Sequence, residues 1–187
     1  MASRSVFVFT ILLSLVLVSC RPTGSSNTAK KMMIRKACRK TNDFRFCVST
    51  LLKSYQRSTA ADPKALTRIL AERALSKVDE ASAYVEKVFY YHPDMVVKEY
   101  LALCLDDYAQ AAQKLRQIGD TLASGGDYKE APKLLREIAS HATDCQEAFE
   151  RKKSQSELNY RPPRPCPLSR QNKIIQLMAE AAAGLLA

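Results

Sequence analysis

Asp94 to Phe149 reads DMVVKEYLALCLDDYAQAAQKLRQIGDTLASGGDYKEAPKLLREIASHATDCQEAF, and the spacing of its apolar residues decides the fold. From Val97, apolar side chains return at Leu101, Cys104, Tyr108, Ala111, Leu115, Ile118 and Leu122, in alternating steps of four and three. That alternation keeps one stripe of a helix facing a neighbour along its whole length. Ser124-Gly125-Gly126 ends the helix, and Asp127 is expected to cap the next. There Tyr128, Ala131, Leu135, Ile138, Ala142, Cys145 and Phe149 repeat at steps of three and four. Pro132 is tolerated if it sits in the first turn.

Cys104 and Cys145 both lie on these seams, equidistant from the Ser124–Gly125 bond. Each is about 20 residues from the bend, roughly 30 Å along its helix at the usual rise per residue. Two antiparallel helices joined at that bend bring the sulfurs to one level, so a Cys104–Cys145 bridge is predicted.

Two further segments carry the same periodicity. One runs from Asp62, a good N-cap followed by Pro63, to Tyr91, with a stripe of Leu66, Leu70, Ala74, Val78, Ala81, Val85 and Val88. His92-Pro93-Asp94 breaks it. The other, Leu168 to Leu186, carries Ile174, Met178, Ala181 and Leu185. Short connections between long helices make antiparallel neighbours, so residues 62–186 are predicted to form an all-α, up-down-up-down four-helix bundle.

Residues 28–54 read as two short helices, Thr28–Arg39 and Phe44–Ser54, hinged at Lys40-Thr41-Asn42-Asp43. Pairing Cys38 with Cys47 closes them into a helical hairpin ahead of the bundle, the second of two intrachain disulfides. Asn159 to Pro167 is a Pro-rich connection expected to be extended. It carries Cys166, the odd cysteine, which is left unpaired or joined between chains. The spacings match no zinc pattern, since no C-x-x-C occurs.

The amino terminus reads as a secretory signal over residues 1–20: Arg4, the apolar run Val6–Val18, then Ser19 and Cys20. That run is too short for a comfortable membrane crossing, which takes about 20 residues. Cleavage after Cys20 leaves residues 21–187 as a single domain, secreted to the extracellular space or apoplast, with the vacuole as an alternative. No membrane span is expected in the mature chain.

The 187 residues carry 47% apolar side chains, which excludes a disordered polyelectrolyte, and five Gly, which argues against a loop-rich fold. Two His and no Gly-rich phosphate loop leave little material for a metal enzyme or nucleotide binder, so no metal and no cofactor is expected. The formal charge of +10 falls by one with Arg4. On a secreted chain such a surface meets acidic polysaccharide or an acidic protein cleft rather than nucleic acid. The charges read as spread over helix faces rather than gathered in one arm.

These features together resemble the plant invertase and pectin methylesterase inhibitor family. The resemblance covers nearly the whole mature chain: Ile34-x-x-x-Cys38-x-x-Thr41, Cys47-x-x-x-Leu51, Ala61-Asp62, and Cys104-x-x-x-Tyr108-x-x-Ala111. It continues in Gly126-Asp127-Tyr128, in Ala142-x-x-x-Gln146 around Cys145, in Phe149, and in Pro167-Leu168-Ser169-Arg170-Gln171-Asn172. It implies a hairpin-plus-bundle fold, and a one-to-one complex that blocks the active site of pectin methylesterase or invertase. In the invertase-directed class, a Pro-Lys-Phe tripeptide after the second bundle helix enters the sugar pocket. Here that position reads Tyr128-Lys129-Glu130, which keeps the lysine and loses its partners. The Pro-rich stretch before the last helix and Cys166 are further departures.

Nothing in the sequence assembles a catalytic site. His92 sits at a helix junction, and His141 lies beside the third seam without a companion nucleophile. Asp106-Asp107 are adjacent on a helix, so their side chains diverge, and they read as a solvated face. An inhibitor of a carbohydrate-active enzyme is the leading expectation, a direct binder of acidic polysaccharide the second. A lipid-binding or storage bundle is disfavoured, because such stapled families carry six to eight paired Cys in a shorter chain.

Overall fold

A computed structural model of the chain describes residues 24–54, 62–150 and 164–187. The expected signal segment and the first part of the Pro-rich connection, residues 159–163, lie outside the described residues. The helices are α1 (Gly24–Cys38), α2 (Phe44–Ser54), α3 (Pro63–Tyr91), α4 (Met95–Ser124), α5 (Ala131–Glu150) and α6 (Ser169–Leu186). The chain divides into two compact units, Met1–Met33 and Ile34–Ala187. The described part of the first is the opening of α1, which begins at Gly24 rather than Thr28.

The bundle is square. α3 lies beside α4 and α6, and α5 lies beside α4 and α6. The seam of α4 is buried from Val97 to Ile118, with Leu122 partly covered. The stripe of α5 is buried from Ala131 to Phe149, and that of α3 from Leu66 to Val85, with Val88 at its margin. The face of α6 departs from the expected one. Ile175 is buried and Ile174 only partly so, and Asn172, Ala179 and Ala182 join Met178, Ala181 and Leu185 inside.

The junctions follow from local chemistry. Asp62 Oδ1 accepts from the Ala65 amide at 2.8 Å, and Pro63 opens α3 where its missing N–H costs nothing. At the other end Pro93 forces His92 into an extended conformation, φ −70° and ψ 129°, which ends the helix. Asp94 then caps α4, its Oδ1 accepting from the amides of Val96 at 2.9 Å and Val97 at 3.4 Å. Gly125 stops α4 at φ 72°, a left-handed conformation that a Cβ disfavours. Asp127 does not cap α5. Its Oδ1 accepts from Lys129 N at 3.1 Å, closing a turn, and the Glu130 carbonyl receives the first helical bond, from Leu134 N at 3.0 Å. Pro132 consequently falls at the second helical position, as Ala131 opens α5.

Both bridges are present: Cys38–Cys47, nine residues apart, and Cys104–Cys145, forty-one apart, with Cα–Cα distances of 5.8 and 4.6 Å. The short bridge ties α1 to α2. Between them Thr41 Oγ1 donates to the Cys38 carbonyl at 2.7 Å, and Asp43 Oδ1 accepts from the Phe46 amide at 2.8 Å. The hinge sits directly on α6. A Cβ at Gly184 would lie 3.1 Å from the Lys40 carbonyl and 3.2 Å from Thr41, so only a glycine admits this approach without displacing backbone.

Candidate functional site

The loop from Gly125 to Glu130 presents the tripeptide position. Tyr128 is half-buried against the core, and the Lys64 ammonium lies 4.2 Å from its ring centroid. Lys129 points away: its side chain is 85% exposed, and its Nζ lies 3.2 Å from Asp127 Oδ2, itself in water. Glu130 is exposed. Of the three, the lysine and the glutamate face solvent, while the tyrosine helps anchor the loop. An exposed ion pair of this kind is worth only about 0–1 kcal/mol, so Lys129 can exchange Asp127 for another carboxylate at small cost.

Asp107 is not part of a solvated face. It is largely covered between α4 and α5, and its Oδ1 lies 3.1 Å from His141 Nδ1. Burial pushes the Asp107 carboxyl above its ordinary value, against the pull of His141 and with the nearby Asp144 and Asp106 adding to the rise. One donor atom each from Asp107, His141 and Asp144 lie within 4.8 Å of one another. The group is accounted for as an interhelical polar contact with a neighbouring acid.

Cys166 is an unpaired and buried thiol. It lies beside the long bridge: Asn172 Nδ2 is 3.8 Å from Cys166 Sγ and 3.3 Å from Cys145 Sγ, while the Tyr108 hydroxyl donates to Asn172 Oδ1. Burial raises both the Cys166 thiol and the Tyr108 phenol above their usual ranges. This buried knot joins α4, α5 and α6. Asn172 stands in the family-like opening of the last helix, but its burial is not legible in the sequence, because a polar side chain inside an alanine-rich helix gives no periodic signal. Its one hint is a place on the same face as Ile175 and Ala179.

The charges are less evenly spread than the sequence reading held. Between Ile34 and Ser54 stand Arg35, Lys36, Arg39, Lys40, Arg45 and Lys53 against one acid, Asp43. All six cations are exposed.

A rod-like bundle pinned by two disulfides, displaying exposed loops and charged helix faces, defines a protein that acts through its surface. The sequence profile of the plant invertase/pectin methylesterase inhibitor family matches residues 32–183, and the chain belongs to that family, whose members inhibit enzymes and are not enzymes themselves. It is 33% identical over 117 residues to the cell wall / vacuolar inhibitor of fructosidase 2 of Arabidopsis thaliana, covering 62% of this chain and 63% of that protein. It is 27% identical over 148 residues to a pectinesterase inhibitor of Actinidia deliciosa, covering 79% and 78%. The chain thus spans just under two thirds of the fructosidase inhibitor. Its fold is that of a pectin methylesterase inhibitor from Arabidopsis, mutant form A, at a TM-score of 0.63 and 19% identity over 79% of this chain and 91% of that one. A second crystal structure of a pectin methylesterase inhibitor from Arabidopsis thaliana aligns at 0.56 and 18%, over 81% and 92%.

Proposed function

We propose that this chain is a secreted protein inhibitor that occludes the active site of a carbohydrate-active enzyme in a one-to-one complex, with a fructosidase of the invertase type as its target. The observation that carries the choice of target is Lys129, 85% exposed on a turn fixed between Gly125 and the start of α5. Hydrolysis of a glycosidic bond rests on a pair of carboxylates flanking the sugar pocket. An ammonium delivered there neutralises them and excludes substrate and water together. The similarity to a fructosidase inhibitor supports the same target. Pectin methylesterase is the second reading. The resemblance to a pectinesterase inhibitor favours it, as does the absence at Tyr128 and Glu130 of the residues that flank the lysine in the invertase-directed tripeptide.

The test is to titrate a plant invertase and, separately, a pectin methylesterase with the mature chain at mildly acidic pH, alongside Lys129→Ala. Inhibition of invertase weakened about tenfold or more by the substitution is the expected result, a loss on the scale of one well-placed charge pair. Inhibition of pectin methylesterase alone, indifferent to Lys129, transfers the target to the second reading. Inhibition of neither overturns the proposal. The net positive charge makes acidic wall polysaccharide a further partner of the surface, an interaction that salt should weaken steeply.

A further inference from the structure

Beside the hinge of the hairpin lies a groove of about 450 Å³, walled by the hinge, α5 and α6. Lys40 lines it from the hinge and Arg136 from α5, and Asn42, Ser140 and Gln176 add amide and hydroxyl groups. Its one acidic side chain, Glu180, accepts from Gln176 Nε2 at 2.8 Å. Its apolar lining is alanine and glycine, with no large or aromatic side chain.

The groove opens beside a ridge of positive charge. Arg35 and Lys36 stand in the last turn of α1, and Arg39 and Lys40 follow directly in the turn after it. Four like charges within six residues repel. No carboxylate among the described residues lies within ion-pair distance of these four, of Arg45 and Lys53, or of Arg136. The frame is stiff, closed by the Cys38–Cys47 bridge and seated on Gly184. A preformed, cationic, hydrogen-bonding groove continued by a cationic ridge asks for an extended ligand with regularly spaced negative charges and hydroxyls.

We propose that the hinge groove and the adjoining ridge bind a polymer of sugar acids, with Lys40 and Arg136 taking ring carboxylates and Asn42, Ser140 and Gln176 taking ring hydroxyls. This rests on the reading that acidic polysaccharide is a partner of the surface, and gives it a place. An acidic protein is the poorer fit, since protein interfaces gain most of their affinity from buried aromatic and other large anchors. The apolar lining of the groove offers only alanine and glycine. A volume of this order is within the range of small-ligand sites, enough for part of a chain whose remainder lies along the ridge. Bound there, the polymer would hold the inhibitor in the wall without occupying the α4–α5 loop.

Titration calorimetry on the whole mature chain, with no enzyme present, tests this. The probes are short galacturonate oligomers as free acids, the same oligomers fully methyl-esterified, and polyglutamate as an acidic polypeptide. The expected result is binding of the free acid that weakens as salt rises, with the ester bound about tenfold more weakly or not at all. Lys40→Gln with Arg136→Gln should lose about tenfold or more, while Lys40→Arg with Arg136→Lys retains binding. Circular dichroism and thermal melting establish that each variant is folded. Lys98→Gln, near the α3–α4 junction, should leave affinity unchanged. Free-acid binding that the double Gln variant keeps would overturn the assigned site while leaving a diffuse polysaccharide contact standing. Equal binding of the ester, or no binding, would overturn both. Tighter binding of polyglutamate would transfer the groove to an acidic protein partner.

Discussion

The bundle and the N-terminal hairpin are each closed by one disulfide, and they depend on it differently. The bundle encloses a long core with four helical stripes, and its bridge joins two helices already held by leucine, isoleucine and aromatic contacts such as Tyr100 against Phe149 at 5.2 Å. From Cys38 to Ser54 the hairpin buries little more than Cys38, Thr41, Cys47 and Leu51. A pair of short helices with so small a core is marginal without a covalent tie. The same stretch carries four cations to one acid, with Arg35 and Lys36 just ahead of it, so what the hairpin lacks in core it has in charge. Where the chain must hold its shape it uses area; where it exposes like charges it uses a covalent staple.

Removing the bridges should separate the two regions. Replacing Cys104 and Cys145 by Ser is expected to cost about 4 kcal/mol in denaturant unfolding, by loop closure over the forty-one-residue span. The whole cooperative transition should shift. Replacing Cys38 and Cys47 by Ser removes a shorter loop, about 3 kcal/mol by the same relation, but the effect should stay local. Amide exchange is expected to accelerate across α2 and the hinge, while the bundle's midpoint moves little. If instead both pairs shift the global midpoint equally, the hairpin is as integral as the bundle and the contrast fails.

Smaller changes sharpen it within the bundle. Asp62→Ala removes the cap that bonds the Ala65 amide and should cost about 1 kcal/mol. Asp107 has a carboxyl raised by burial, against the attraction of His141. A carboxyl raised in the folded state binds its proton more tightly there than in the unfolded chain. Its contribution is therefore favourable at low pH and is lost as pH climbs from the ordinary 3.8 through the raised value. Urea midpoints of Asp107→Asn should fall less across that window than those of the native chain. Lys129→Ala, on an exposed turn, should change stability by no more than about 0.5 kcal/mol in either direction, so that any loss of inhibition reports binding.

The parts legible in the sequence were those with a strict period or a strong punctuator. The alternating seam of α4, the Gly125 stop and the symmetric Cys104 and Cys145 placed the long pair of helices, because few other arrangements bury such a stripe. Pro63 and Pro93 marked where α3 starts and ends for equally local reasons. The face of α6 was harder: AEAAAG, Ala179 to Gly184, is small on every side, so the residues themselves do not say which alanines face inward. Contact with α3 and α5 decides it. Asp127 misled because an aspartate after a Gly-Gly stop can either cap a helix or close a tight turn. The two differ only in where the following backbone goes. The Asp107–His141 contact joins residues thirty-four apart, and local periodicity carries no trace of such a pairing. The hinge groove likewise needs α5, α6 and the hairpin together before Lys40 and Arg136 line one groove.

The most direct measurement is a titration of purified invertase with the mature chain at enzyme concentrations well above the dissociation constant. If the chain is a stoichiometric plug for the active site, activity falls linearly and vanishes at one inhibitor per enzyme. Activity that stays flat at every ratio, with pectin methylesterase equally untouched, would contradict the account.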